Sequence, residues 1–306
     1  MRIVFFGTSD FAVPALRAVS KHVVLVVSQP DRPHGRGLKL SPSPVKQCAL
    51  ELGIPVATPE KARDAEFIAQ IQALDADFLL VASYGQILSV KLLESSKRGA
   101  INLHGSILPE YRGAAPIQRA ILDGKTETGV TLMQMDKGMD TGDMIAIERM
   151  PITPDATAGD IFVELADLAG RMVGDWAGRI TSGDYPRVPQ DNDLATYAPK
   201  IEKAEAELSF ERDAATEYNR FRAFTPAPGA FLNTKFGPLK ISGAKFGDGN
   251  GTPGSVVSTS NGLEIAFLHG SILFELLQPA GKKAMDGKDF ANGFRIRPGD
   301  DLRSEQ

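Results

Sequence analysis

One cysteine, Cys48, stands among 306 residues, so no intramolecular disulfide is possible and a reducing compartment is expected. No apolar run approaches the ~18 residues of a membrane span, and the apolar stretch at residues 3–6 is too short for a signal-peptide core. A cytoplasmic chain is therefore expected. Excess positive charge is missing too: 34 Lys and Arg face 38 Asp and Glu, a net charge of -4 that excludes the global basic footprint of many nucleic-acid binders. The first strand-helix turn, Gly7-Thr8-Ser9-Asp10-Phe11, has one glycine where a dinucleotide fingerprint needs three, and it lacks the Gly-Lys-Ser/Thr of a P-loop. Gly7 is expected to make the turn, with Ser9 or Asp10 capping the helix.

What remains has ordinary globular composition, 42% hydrophobic and 24% charged, which excludes disorder, collagen and coiled coil. At this length two domains are expected. In the first half, β-branched runs at residues 3–6, 23–27 and 78–82 alternate with helical patterns at 11–19, 45–52 and 87–93. Strand then helix, repeated, predicts βαβ units and a Rossmann-like open parallel sheet with helices on both faces. Cys48 shares a helical face with Val45, Ala49 and Leu52 and is expected to be a buried structural residue. Residues 100–103, 129–135 and 144–147 are further strands, and a helix is expected at 115–122. Thr157-x-x-Asp160 has the form of a capping box, opening a long helix with Ile161, Leu165, Leu168, Met172, Trp176 and Ile180 on one stripe.

This pattern predicts a catalytic domain over residues 1–185, a proline-containing polar linker over 186–204 and a second domain over 205–306. In the second domain a helix at 214–224 precedes short strands at 230–232, 239–241, 255–257, 263–267 and 272–274, separated by glycines. Such spacing predicts an OB-like β-barrel.

Ligands of an open parallel sheet bind at the carboxyl ends of its strands. Side chains two apart on a strand share a side, so Asn102 and His104 are expected to point together into the crevice. His22, His34 and His269 lack such a setting and read as structural residues. The acidic, glycine-punctuated loop at residues 136–143 lacks the regular acidic positions of an EF-hand, so no metal is expected. Plain turn roles stay open for Asp136 and Asp143. Asp140 can reach His104 from this edge, orient the ring and favour its protonated form. Asn102, His104 and Asp140 would then be a catalytic set for acyl transfer without a side-chain nucleophile.

Charge is also uneven along the chain. Residues 150–220 hold fourteen Asp and Glu against seven Lys and Arg, whereas residues 29–46 hold Arg32, Arg36, Lys39 and Lys46 against Asp31 alone. The local excess makes the second segment either a solvated loop or a phosphate-contacting one.

The strings Asn102-Leu103-His104-Gly105-Ser106-Ile107-Leu108-Pro109, Tyr111-Arg112-Gly113-Ala114-Ala115-Pro116-Ile117 and Met139-Asp140-Thr141-Gly142-Asp143 resemble the formyltransferases that use 10-formyltetrahydrofolate. The resemblance extends to Tyr84-Gly85-Gln86-Ile87-Leu88, to Ala223-Phe224-Thr225-Pro226-Ala227-Pro228-Gly229-Ala230 and to the tail around Gly281-Lys282-Lys283. It implies 10-formyltetrahydrofolate as co-substrate, with Ser106, Ile107, Leu108, Pro109, Tyr84, Gly85 and Gln86 lining its pocket. Relatives acting on glycinamide ribonucleotide or amino sugars generally lack the basic insertion at 29–46. Its presence implies initiator methionyl-tRNA as partner, with Arg36 central and Arg32, Lys39, Lys46, Lys282 and Lys283 as further tRNA-binding residues. A monomer is expected. The sequence departs from the family pattern at Glu110, usually non-acidic there, and at Leu208-Ser209-Phe210, where many relatives have an Ile-Asp-Trp-like stretch. The alternative is a formyltransferase acting on an amino sugar or other small amine.

Overall fold

The apolar runs of the first half form strands in the computed structural model, which describes residues 1–34 and 39–304, with backbone alone at 34 and 39. The chain divides into two compact units, one comprising Met1–Pro116, Glu127–Met150 and Phe162–Ala198, the other Ile117–Thr126, Pro151–Ile161 and Pro199–Gln306.

Strands of the first unit are, in chain order, β1 (Ile3–Gly7), β2 (Val23–Val27), β3 (Arg32–His34), β4 (Lys39–Ser41), β5 (Val56–Ala57), β6 (Phe78–Ala82), β7 (Ala100–His104), β8 (Arg112–Gly113), β9 (Glu127–Gln134), β10 (Met144–Pro151) and β11 (Tyr197–Ala198). Seven of them make one sheet in the order β10-β9-β7-β6-β1-β2-β5. The pairs among β5, β2, β1, β6 and β7 are parallel, as expected, but β9 runs antiparallel to β7. The sheet is therefore mostly parallel rather than wholly so. Every residue of β1 and β6 is buried, as strands covered on both faces require.

Helices α1 (Val13–Val19), α2 (Pro44–Glu51), α3 (Ala65–Ala73), α4 (Val90–Leu93), α5 (Pro116–Leu122) and α6 (Ala158–Ser182) lie along the same stretch of chain, α5 from Ile117 on and the first turn of α6 belonging to the second unit. Ser43 caps α2, its hydroxyl accepting from the Lys46 amide at 3.0 Å. Cys48 on that helix is 3% exposed, and burial pushes its thiol pKa up. The capping box of α6 is present: the Asp160 carboxylate accepts from the Thr157 amide at 2.9 Å, and the Thr157 hydroxyl accepts in return from the Asp160 amide at 3.3 Å. Ile161, Leu165, Leu168, Met172 and Ile180 are buried along its stripe, while the Arg179 guanidinium covers Trp176 at 4.3 Å.

Three local expectations change. Ser9 makes no cap; its hydroxyl donates instead to Ser83 at 2.8 Å, and α1 starts at Val13 beside Pro14. The helix expected at 87–93 shortens to α4, because Ser89 caps it and the residues before it form a loop. Within the basic segment β3 pairs antiparallel with β4, with Arg32 opposite Ser41.

The polar stretch at 186–204, expected to be a linker, is tied to the first unit over much of its length. Val188 bridges Met144, and β11 pairs with β8. Arg187 pairs with Asp143 at 3.0 Å.

In the second unit, β12 (Glu207–Leu208), α7 (Ala214–Ala223), β13 (Phe231–Thr234), β14 (Gly237–Gly247), β15 (Val256–Ser258), β16 (Leu263–Ala266), β17 (Ser271–Pro279), β18 (Met285–Asp286) and α8 (Gly287–Phe294) follow one another. The strands make a curled sheet in the order β12-β13-β14-β17-β16-β15, with β18 on β17, a half-barrel. Except for β12 with β13, these pairs are antiparallel. Irregular register at Ile241–Gly243 and Gly243–Ala244 bends the long β14. The core gathers Phe210, Phe221, Phe267, Phe274 and Phe290 with Ile265 and Ile272; each fully buried side chain of this size contributes roughly 1.5–3 kcal/mol.

Candidate active site

The strand order turns at β1, whose neighbours β2 and β6 lead to opposite edges. A crevice is expected where order reverses. Here the β1 and β6 ends are zipped together: the Thr8 amide donates to the Ser83 carbonyl at 3.1 Å and its hydroxyl to the Tyr84 carbonyl at 2.8 Å. The polar side chains collect one strand further on, at the end of β7.

β7 alternates as its sequence requires. Ile101 and Leu103 are buried in the layers, Asn102 is half-buried, and His104 is 6% exposed at the strand end. Among the described residues no hydrogen bond engages the Asn102 side-chain amide. His104, by contrast, is hydrogen-bonded through one nitrogen and faces a carboxylate with the other. Its Nε2 lies 2.9 Å from the Tyr111 carbonyl, and because a carbonyl only accepts, Nε2 carries a hydrogen. Its Nδ1 faces Asp140 Oδ2 at 3.6 Å.

Asp140 reaches this place through a constrained loop. The Asp136 carboxylate closes the loop start, accepting from the Gly138 amide at 2.8 Å and the Thr141 hydroxyl at 2.7 Å. Asp140 has φ 55°, a left-handed conformation that Asp tolerates better than most residues. A Cβ at Gly142 would collide with the Gln134 carbonyl, so that position demands glycine. The Asp140 Oδ2 accepts from the Gly113 amide at 2.9 Å, and the Gln190 side-chain nitrogen donates to the Asp140 and Gly142 carbonyls, each at 2.8 Å. Gly113 itself has φ 119° and would bring a Cβ within 2.8 Å of the Ala198 carbonyl.

The loop after β7 is equally tied. The Ser106 hydroxyl donates to the Glu110 carbonyl at 2.7 Å, and buried Thr131 donates to the Ser106 carbonyl at 2.7 Å while accepting from the Leu108 amide at 3.0 Å. Leu108 is buried; Ile107 and Pro109 are half-buried. The Tyr84 side chain is buried, 2% exposed and edge-on to Phe6, and its hydroxyl has no partner among the described residues. Burial pushes its pKa up to about 12. The Gln86 side chain accepts from the Ala62 amide at 2.9 Å, and Gly85 takes φ 87° between these two residues.

The structure thus brings Asn102, His104 and Asp140 to one edge. It leaves the basic positions apart from them in kind: Arg32 is exposed in β3, the Lys46 ammonium pairs with both Asp31 oxygens at 2.7 and 2.8 Å, and Lys39 is described by backbone alone. Arg36 lies outside the described residues. Lys282 and Lys283 are exposed in the second unit, with the Lys282 ammonium 5.0 Å from the Phe294 ring centre. Among the described residues no group of three or more His, Cys, Asp or Glu is arranged to hold a metal.

Residue-by-residue reading passed over Gln190 and Arg112. The Arg112 guanidinium, in a residue 2% exposed, donates to Gln190 Oε1 at 3.0 and 2.8 Å and to Asn192 Oδ1 at 2.9 Å. The signal for Gln190 was a pair of amides, Gln190 and Asn192, beside Pro189 in a stretch otherwise read as a linker, and Arg112 appeared only within the Tyr111-Arg112-Gly113 string.

The fold, an α/β sheet followed in sequence by a curled β unit, is that of a formyl-transfer class of enzyme. The chain belongs to the formyl transferase family: the formyl transferase model matches residues 1–174, and that of the formyl transferase C-terminal domain matches residues 200–295. It is 45% identical to a protein of Symbiobacterium thermophilum named methionyl-tRNA formyltransferase, over 98% of this chain and 94% of that protein. A Myxococcus xanthus protein of the same name is 44% identical over 97% of this chain and 96% of its own length. Among solved structures, an N-formyltransferase of Helicobacter canadensis, in complex with folinic acid and dTDP-3-aminofucose, has TM-score 0.67 and 21% identity, covering 90% of this chain and 98% of that one. HypX of Aquifex aeolicus in complex with tetrahydrofolic acid has TM-score 0.65 and 16% identity, covering all of this chain and 48% of that one. At these identities the two structures show a shared fold.

Proposed function

We propose that the protein transfers the formyl group of 10-formyltetrahydrofolate to the free amine of initiator methionyl-tRNA. The observation that carries this reading is likeness over nearly the whole chain, at 45% identity, to a protein named methionyl-tRNA formyltransferase.

In this reading the amine nitrogen attacks the formyl carbon, the carbonyl oxygen gains charge, and the bond to the folate nitrogen breaks as that nitrogen takes up a proton. The unengaged Asn102 amide donates to the developing oxyanion. Of the two His104 nitrogens, Nε2 is committed to Tyr111, so Nδ1 serves the reaction beside Asp140. Asp140 orients the ring and carries the proton from amine to leaving nitrogen, directly or through water.

The folate would meet the loops at 84–86 and 106–109 through backbone groups and the half-buried Ile107 and Pro109, since the hydroxyls of Tyr84 and Ser106 face inward. That surface fits a flat heteroaromatic ring, which needs apolar walls and a few fixed polar groups. Arg32, Arg36, Lys39 and Lys46 would contact tRNA phosphates from the first unit, with Lys46 exchanging its Asp31 partner, and Lys282 and Lys283 from the second. The protein would act as a cytoplasmic monomer.

Incubation with 10-formyltetrahydrofolate and either methionyl-initiator tRNA or small amines, followed by product mass, tests the reading. Formyl gain on the tRNA is expected. Gain only on an amino sugar would replace the acceptor, and gain on no amine would leave an RNA-binding protein without transfer activity.

A further inference from the structure

Gln190 stands fifty residues beyond Asp140 in a stretch with the texture of a linker, yet its amide is used to capacity. Both hydrogens go to the Asp140 and Gly142 carbonyls at 2.8 Å, and the oxygen accepts twice from the buried Arg112 guanidinium at 3.0 and 2.8 Å. An amide has two hydrogens to give and two lone pairs to share, and here all four are spent. The two carbonyls flank the turn that holds Asp140 at φ 55°. They are therefore held from outside the loop, at the residues whose backbone direction decides where the carboxylate points.

Arg112 is fixed in turn. Its amide donates to the Thr196 carbonyl at 2.9 Å, and the next residue, Gly113, gives its amide to the Asp140 carboxylate at 2.9 Å. The loop and the carboxylate are thus gripped from one short strand, through the backbone at Gly113 and through Gln190 by way of the Arg112 side chain. Arg187 on Asp143 and the Val188 bridge to Met144 fasten the same stretch to the far end of the loop.

We propose that Gln190 is a positioning residue for the transfer reaction: oriented by buried Arg112, it clamps the 136–143 loop so that the Asp140 carboxylate stays against His104. The inference deepens the formyl-transfer reading and rests on it for its kinetic consequence. Loosening such a clamp displaces a reacting group rather than removing it, and a displacement of about 1 Å costs on the order of 10²-fold in rate.

Two substitutions separate donor from acceptor. Gln190→Glu keeps an acceptor for Arg112 but sets a carboxylate against two carbonyls, whereas Gln190→Ala removes both. For each, kcat with 10-formyltetrahydrofolate and methionyl-initiator tRNA is expected to fall roughly 10²-fold, with the folate KM within about twofold of wild type. In an Asp140→Asn background, Gln190→Glu is expected to cause almost no further loss, because its effect passes through Asp140. Backbone amide exchange at residues 138–143 is expected to quicken in both variants, a readout independent of any acceptor. Wild-type kcat in Gln190→Glu, or a full additional loss in the Asp140→Asn background, overturns the proposal. If the wild-type protein formylates no amine, the functional reading fails on its own account and exchange decides: faster exchange keeps the clamp, unchanged exchange removes it.

Discussion

Two side-chain amides bracket the site and are used in opposite ways. Asn102, on the interior strand β7, has no hydrogen-bond partner for its side chain among the described residues, while Gln190, on the strand-poor stretch before β11, spends every side-chain donor and acceptor it has. The strand holds its amide by backbone pairing with β6 and β9 on either side, so the side chain is free to meet a substrate. The irregular stretch has no such frame, and Gln190 makes one. A regular scaffold leaves polar side chains free for chemistry; an irregular one uses them to hold its own backbone.

The comparison breaks first at Asn102. Asn102→Ala is expected to lower kcat by 10²–10³, about the worth of one oxyanion donor, and to leave the thermal unfolding midpoint unchanged, because nothing in the fold relies on that amide. A drop in the midpoint with normal kcat would reverse the roles assigned to the two amides.

Arg112→Met comes next. It leaves the oxygens of Gln190 and Asn192 without their shared donor, and the expected stability loss is about 1–3 kcal/mol. Roughly tenfold slower turnover is expected alongside it, since the clamp loses its orienting partner. Denaturant unfolding and steady-state kinetics read the two effects separately.

Tyr84 sharpens the contrast, because its hydroxyl is also unengaged but lies in the core. Tyr84→Phe is expected to keep the folate KM and to hold stability or raise it by up to about 1 kcal/mol. The pH dependence has a definite sign. With a folded pKa of about 12, above an unfolded value of ~10, the Tyr84 contribution is full below pH ~10 and is lost as pH rises towards the folded value. Alkaline unfolding of Tyr84→Phe is expected to lack that component, and a raised folate KM would instead put the hydroxyl in the pocket.

The smallest effect lies in the second unit, at a pair engaged on both sides. Arg119 donates to the two Glu205 oxygens at 2.6 and 3.0 Å, and this bond leads the causes that lower the Glu205 pKa. A depressed carboxyl contributes above its unfolded pKa of ~4.3 and loses that contribution as pH falls through the folded value. Arg119→Met is expected to flatten stability over that acid window, by about 1 kcal/mol or less for a partly exposed pair.

Much of the scaffold was legible because it is periodic. The apolar runs of β1, β2 and β6, the alternation of β7 and the stripe of α6 each follow a pattern that burial enforces, and Asn102 with His104 followed from that alternation. The pairing of β3 with β4 and the two-residue strands β8 and β11 were not legible, since elements so short have no period. The direction of β9 depends on pairing with β7, which no local pattern records. Gln190 was hidden for the same reason: its partners lie about fifty and eighty residues away, and prolines around it imitate a linker.

The pair of His104 and Asp140 is the centre of the account, and a single-turnover measurement reaches it most directly. Wild type and Asp140→Asn are each mixed with saturating 10-formyltetrahydrofolate and methionyl-initiator tRNA, and formylated product is followed in time. The prediction is transfer by wild type and a rate lower by 10² or more in Asp140→Asn with folate affinity retained; equal rates in the two proteins would contradict it.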